Sequence, residues 1–279
     1  MVRRVIVLIL FLLFGFSVAE GAVFDVSTPT EFQNALTEAQ SNGENDVINV
    51  QADMTITATL TYQTDNGDGG HSLTINGNGH SLDGGGSVRI MNIDTDTGDN
   101  GGDAGGNITI RDLTFQNGNA GYGGGLWVST TNADVVIDGC TFSGNSAGSG
   151  YGGGALVGTT SGSATLTNNT FSGNSGWDGG GAYVVTLSGN ITLTNNTFFG
   201  NSAGYGGGAV VWLYFGRAKA YVYNNIFWQN TGQPGDDLYV QSDGDGNGTG
   251  STCRALQQRL LRQCRLQHRT VRRPLHHGH

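Results

Sequence analysis

The groups in this chain that could move a proton or hold an ion are few and scattered. Carbohydrate cleavage by elimination needs a basic side chain near bound Ca²⁺, and hydrolysis needs two acids at a set separation. Arg217 and Lys219 flank Ala218, and Asp236 and Asp237 follow, while His71 and His80 lie far upstream in glycine-rich turns. Two acidic runs place oxygen ligands at alternating loop positions, as Ca²⁺ prefers. They are Asp94, Asp96 and Asp99 with Asp103, and Asp243 and Asp245 with Asn247. Neither completes a twelve-residue loop ending in glutamate, so both read as solvated loops, with the first the better candidate for Ca²⁺ and no cofactor required. Cys140 falls in a column otherwise held by asparagine and reads as buried packing rather than a nucleophile. The remaining candidates are aromatic. Tyr122, Tyr151 and Tyr205 each precede a glycine triplet, and Trp177 lies one position displaced before Asp178. Aromatic pairs are favourable at centroid separations of about 4.5–7 Å. A column at that spacing is either a stabilising ladder or a platform for the C–H face of a neutral sugar.

The elements that must position these rings are repeats. Strand-like runs at 108–115, 135–142, 164–171, 191–198 and 220–227 each end on phenylalanine, at intervals of 27, 29, 27 and 29 residues. A near-constant period of this size marks a solenoid, whose units bury their apolar faces only against each other. Apolar residues stand seven and five positions before each phenylalanine, as Ile191 and Leu193 do before Phe198. Odd offsets cannot share one face of a flat strand, so a bend lies between. Asparagine pairs occupy it at 168–169, 195–196 and 224–225. Asparagine tolerates corner conformations, and its amide can bond to its equivalents in stacked coils. Asn145, Asn174, Asn201 and Asn230 form a second column, and glycine triplets at 123–125, 152–154, 179–181 and 206–208 lead into apolar strands. Parallel crossovers are almost always right-handed. The expected fold is all-β, a single-stranded right-handed parallel β-helix. Ahead of it, Thr28-Pro29-Thr30-Glu31 has the spacing of a capping box with proline at the first helical position. Phe32, Ala35, Leu36 and Ala39 line one face of a short helix that would cover the open end of the stack.

Composition bounds the partners. Residues 1–19 have a basic start, an apolar run too short to span a bilayer, and a small-x-small site, the layout of a secretory signal peptide. The mature chain, with no second long apolar run, is expected to be secreted or at the cell surface without a transmembrane helix. From residue 23 to 250 four cations face 21 carboxylates, a formal −17 that argues against nucleic acid. The β-helix is assigned to 20–250. Residues 251–279 carry seven arginines and no carboxylate. They read as a disordered basic tail that is out of frame. Read one base later, with CGN arginines and CTN leucines, the codons of 253–260 permit Val-x-Leu-Tyr-Asn-Asn-Asp-Tyr, which mimics 221–227.

Phe142-Ser-Gly-Asn145, Phe171-Ser-Gly-Asn174, Phe198-Phe-Gly-Asn201 and Phe227-Trp-Gln-Asn230 resemble the F-x-x-N element of chlamydial polymorphic outer-membrane protein repeats. Gly153-Gly-Ala155-Leu156 and Gly180-Gly-Ala182-Tyr183 resemble the accompanying G-G-A-aliphatic element. The chain is also similar to the wider right-handed parallel β-helix group that includes pectate lyases. That resemblance implies a coil, and either adhesion or polysaccharide cleavage. Polygalacturonase-like hydrolases place their aspartates before an Arg-x-Lys element, and here that order is reversed. The expectation is an adhesin-like or glycan-binding module, with Tyr122, Tyr151, Trp177 and Tyr205 as binding candidates. A lyase or hydrolase, and a purely structural repeat, are the alternatives. The partner is a neutral glycan or other surface ligand.

Overall fold

The computed structural model describes residues 21–64, 67–95, 106–214, 218–232 and 235–242, and the backbone of 252–256, 259–260 and 264–268. Three parallel sheets of nine, eight and eight strands run the length of a β-helix. One coil illustrates the plan. Ala164–Thr167 belongs to the first sheet, Thr170–Ser172 to the second and Ala182–Thr186 to the third. Each strand pairs in parallel with its equivalent one coil away, so identical positions stack in columns.

The bend inferred between first and second sheets is made by residues of positive φ. Asp112, Asn168, Asn195 and Asn224 adopt φ of 51–58°, and Gly139 takes the same corner at 67°. L-residues other than asparagine and aspartate rarely adopt this region, which explains the residue choice. The residue after each corner is buried: Leu113, Cys140, Asn169, Asn196 and Asn225. Asn196 Nδ2 donates to Leu166 O and to Asn225 Oδ1, and Asn196 Oδ1 accepts from the main-chain N and Nδ2 of Asn169. Cys140 stands in this column, its N–H donating to Asn169 Oδ1 at 2.8 Å. The second column, Asn145, Asn174, Asn201 and Asn230, is bonded in the same manner.

Phe115, Phe142, Phe171, Phe198 and Phe227 stack with centroids 4.7–4.9 Å apart and planes within 5°. Met54 and Leu82 continue their column toward the N-terminus. In this first coil Met54–Thr55 joins the second sheet and Leu60–Gln63 the third. The helix α1 spans Pro29–Ala39 with its capping box formed, and Phe32, Ala35, Leu36 and Ala39 are buried against the first coil. Past residue 250, the backbone of Thr252–Leu256, Arg259–Leu260 and Cys264–His268 adds one strand to each sheet. Residues 1–20 lie outside the described residues, and no described helix is long and apolar enough to cross a membrane.

Candidate functional site

The third sheet carries the side chains that depart from a solvated exterior. Its strands Leu126–Thr130, Ala155–Thr159, Ala182–Thr186, Ala209–Leu213 and Leu238–Ser242 send alternate residues into the core. Strict alternation would make the outward residues polar. Instead Trp127, Leu156, Tyr183, Val210 and Tyr239 form one outward column, and Val185 and Trp212 stand in the next. Leu156, Tyr183 and Val210 are only 9%, 5% and 1% exposed, forming a second apolar cluster outside the core with Trp127, Tyr151, Val185, Trp212 and Tyr239.

The turn before each strand supplies the cover. Tyr151, Asp178 and Tyr205 are bridged in parallel, so the column has an aspartate where its neighbours carry tyrosine. Tyr151 stacks on Tyr183 at 4.9 Å and receives Tyr122 edge-on at 5.5 Å. Tyr183 leans toward Trp212 at 6.3 Å, Trp212 stacks on Tyr214 at 5.2 Å, and Tyr205 meets Tyr239 at 5.8 Å. Trp177 is outside the bridged column and 56% exposed. Its backbone is anchored by donation to Gly150 O and by acceptance from Gly204 N. At one margin the Arg89 guanidinium lies 4.9 Å from the Trp127 ring and donates to Tyr122 O at 2.8 Å.

Asp178 brings a carboxyl to this face, whose second outward column also carries Ser129 and Gln241. The Asp178 Oδ1 is buried without a hydrogen-bond partner among the described residues, and burial raises its carboxyl above the usual range. The Tyr151 hydroxyl is also raised, first by burial and then by the neighbouring Asp178 charge. The face therefore offers flat rings in the same turn column as a partly desolvated carboxyl, groups of the kind that stack on a sugar and accept its hydroxyl hydrogens.

The structure brings Tyr122, Tyr151 and Tyr205 to this one face, with Trp177 beside it. Sequence reasoning did not single out Tyr183, Trp212, Tyr239, Leu156 or Asp178. The available signal was parity: Ala182-Tyr-Val-Val-Thr186 is apolar at both parities, unlike the alternating Ala164–Thr167. Of the acidic run, Asp94 ends the strand Met91–Asp94, whereas Asp96, Asp99 and Asp103 lie outside the described residues. No group of three or more metal-ligating side chains occurs among the described residues. Asp237 is buried and accepts from Asn230 Nδ2 at 3.1 Å, and Asp236 accepts from Gly232 N, so both hold a corner. Arg217 is outside the described residues, and Lys219 is exposed at the start of its strand. The Cys140 thiol is buried and pushed up to about 12, chiefly by burial, consistent with packing.

Residues 23–148 match the family model of a pectate lyase-like adhesive domain. That match covers the helix-capped end and the first regular coils, and stops short of Tyr151, Asp178 and Tyr205. No curated protein and no solved structure matches the chain.

Proposed function

We propose that this protein is an exported, adhesin-like β-helix that binds neutral glycan through the aromatic outer face of its third sheet. The observation that carries this reading is the exposure of Tyr122, Trp177 and Tyr205 beside the second apolar cluster: a repeat has no folding need for tryptophan and tyrosine in solvent, where polar residues serve. The adhesive-domain match of residues 23–148 supports a role in surface attachment. The formal −17 of residues 23–250 favours neutral chains over polyuronates and sulfated chains. Binding is expected to be weak and insensitive to salt, since stacking rather than charge supplies it. The test is a glycan array probed with the mature protein and with the Tyr151→Ala/Tyr205→Ala double variant. Loss of retention with an unchanged circular dichroism spectrum supports the reading, and equal retention makes the rings a structural ladder only.

A polysaccharide-cleaving enzyme is the second reading, and Asp178 is what favours it, because a carboxyl raised by burial can serve as a general acid. Incubation with a polysaccharide panel, with and without Ca²⁺, separates the two. New reducing ends or unsaturated products establish cleavage; their absence with retained binding establishes adhesion.

A further inference from the structure

Asp178 occupies a place in the turn column where the coils on both sides carry tyrosine. Its main chain is engaged, its carbonyl accepting from Gly152 N at 2.9 Å, yet its Oδ1 is buried with no partner among the described residues. An unpaired buried acceptor is costly, and nothing in the coil requires a carboxylate there, since Tyr151 and Tyr205 satisfy the same backbone position. The residues beside it in chain and space, Trp177 and Tyr205, expose their rings. A turn that carries a carboxyl next to exposed rings in its own and the next coil fits a ligand that presents an apolar face and hydrogen-bond donors together, as a pyranose does.

Building on the glycan-binding reading, we propose that Asp178 is the specificity-determining acceptor of this face. It takes hydroxyl hydrogens from a neutral hexopyranose unit that stacks on Trp177 and Tyr205. Removing an acceptor so that a ligand hydroxyl is left desolvated and unpaired costs about tenfold or more in affinity, whether or not the acceptor is charged. The mature protein, Asp178→Asn, Asp178→Leu and Tyr151→Ala/Tyr205→Ala are compared on immobilised neutral polysaccharides and on a polymer of deacetylated hexosamine. Asparagine keeps an acceptor oxygen and leucine does not. The expected result is loss of about tenfold or more in Asp178→Leu, with Asp178→Asn within about threefold of the parent. If Asp178→Leu binds as the parent does while the double tyrosine variant fails, the aromatic reading stands and the role of Asp178 is overturned. Salt-sensitive capture of the amino polymer, lost in Asp178→Asn, overturns the neutral ligand in favour of a cationic one. A parent that binds no neutral polysaccharide removes both the reading and this inference.

An independent observation concerns the C-terminal coil. The strand Thr252–Leu256 pairs with Lys219–Tyr223, and Arg259–Leu260 with Ile226 and Phe227, at an offset of 33 residues, while Cys264–His268 pairs with Leu238–Ser242 at 26. Carried along the sequence, the offset of 33 aligns Gln258 with Asn225 and Gln263 with Asn230, the positions of the two asparagine columns. We infer that the sequence from about residue 252 onward stands one base out of frame with a further repeat. With CGN arginine and CTN leucine codons, the next frame allows only Asn or Ser at 257, 258 and 263. It allows Tyr at 256, Phe at 260 and Gly at 262. Tyr-Asn-Asn-x-Phe-x-Gly-Asn over 256–263 is thus permitted, which is the repeat's own corner and ladder. Sequencing the gene across codons 245–280 tests this. Asparagine at 258 and 263 after a single-base change is the expected result. A stop codon or serine at both ladder positions in that frame overturns it.

Discussion

Two amide columns show how much a single residue carries in this molecule. Asn196 accepts twice from Asn169 and donates to Leu166 O and Asn225 Oδ1, all in the dry interior. Asn196→Ala leaves the Asn169 N–H without its partner, at a cost of about 1–3 kcal/mol, and takes from Leu166 O the side-chain donor it has beside the strand ladder. Asn196→Asp fares little better, because a carboxylate cannot donate to Asn225. Chemical denaturation of both variants is expected to show losses of that order. Phe171, sandwiched between Phe142 and Phe198 at 4.7 and 4.8 Å, is expected to cost about 3–5 kcal/mol as alanine. Asp178 behaves in the opposite sense. Burial raises its folded pKa above the unfolded value, so the ionised carboxyl is penalised in the fold. The penalty is present above the folded pKa and vanishes as pH falls below the unfolded value. Asp178→Asn is therefore expected to raise the melting temperature at pH 7 and leave it unchanged near pH 3. A stabilising change at Asp178 is what the proposed binding role predicts, since stability is commonly given up for function.

Among elements, the glycine-led turns and the capped helix do most to set the geometry. A Cβ on Gly181 would meet Gly208 O at 2.4 Å and the Phe198 ring at 3.0 Å. Backbone cannot yield as a flexible side chain can, so Gly181→Ala is expected to destabilise by about 1–3 kcal/mol. The same close approach lets consecutive coils stack and brings Tyr151, Asp178 and Tyr205 into one column. At the N-terminal end, Thr28 Oγ1 accepts from Glu31 N, and Glu31 Oε2 accepts from the N–H groups of Ser27 and Thr28. Thr28→Ala is expected to lower stability by about 1 kcal/mol and to be read as a small shift in melting temperature.

For the molecule as a whole, stability in a solenoid is a sum of repeats and of the interfaces between neighbours. Loss in a middle coil uncouples both sides. Phe171→Ala is therefore expected to lower the unfolding midpoint more than Met54→Ala, at the N-terminal end of the same column. Equal losses would mean that the coils melt as one block. The formal −17 over residues 23–250 adds self-repulsion that salt screens. Melting temperature is expected to rise with NaCl while glycan retention stays level, which separates the electrostatics of the rod from the stacking of its face.

Local chemistry and period are the part of this fold that can be read from the residues alone. The phenylalanine intervals, the asparagine corners at 168, 195 and 224, and the capping box each bind a residue type to one backbone geometry, and all are present in the fold. Three tyrosines of the candidate face were legible for the same reason, because each sits at a constant distance from a glycine triplet. Tertiary structure alone decided which side of the third sheet was apolar without being core. Tyr183 and Trp212 look like core residues in a run apolar at both parities, and only the stacking of coils sets them outside. It also decided that Asp178, not Trp177, stands in the column with Tyr151 and Tyr205. A one-residue shift within a glycine-rich turn carries no periodic signal, since such turns have no strict alternation. The parallel bridges between neighbouring coils fix it, and they exist only once the rod is assembled.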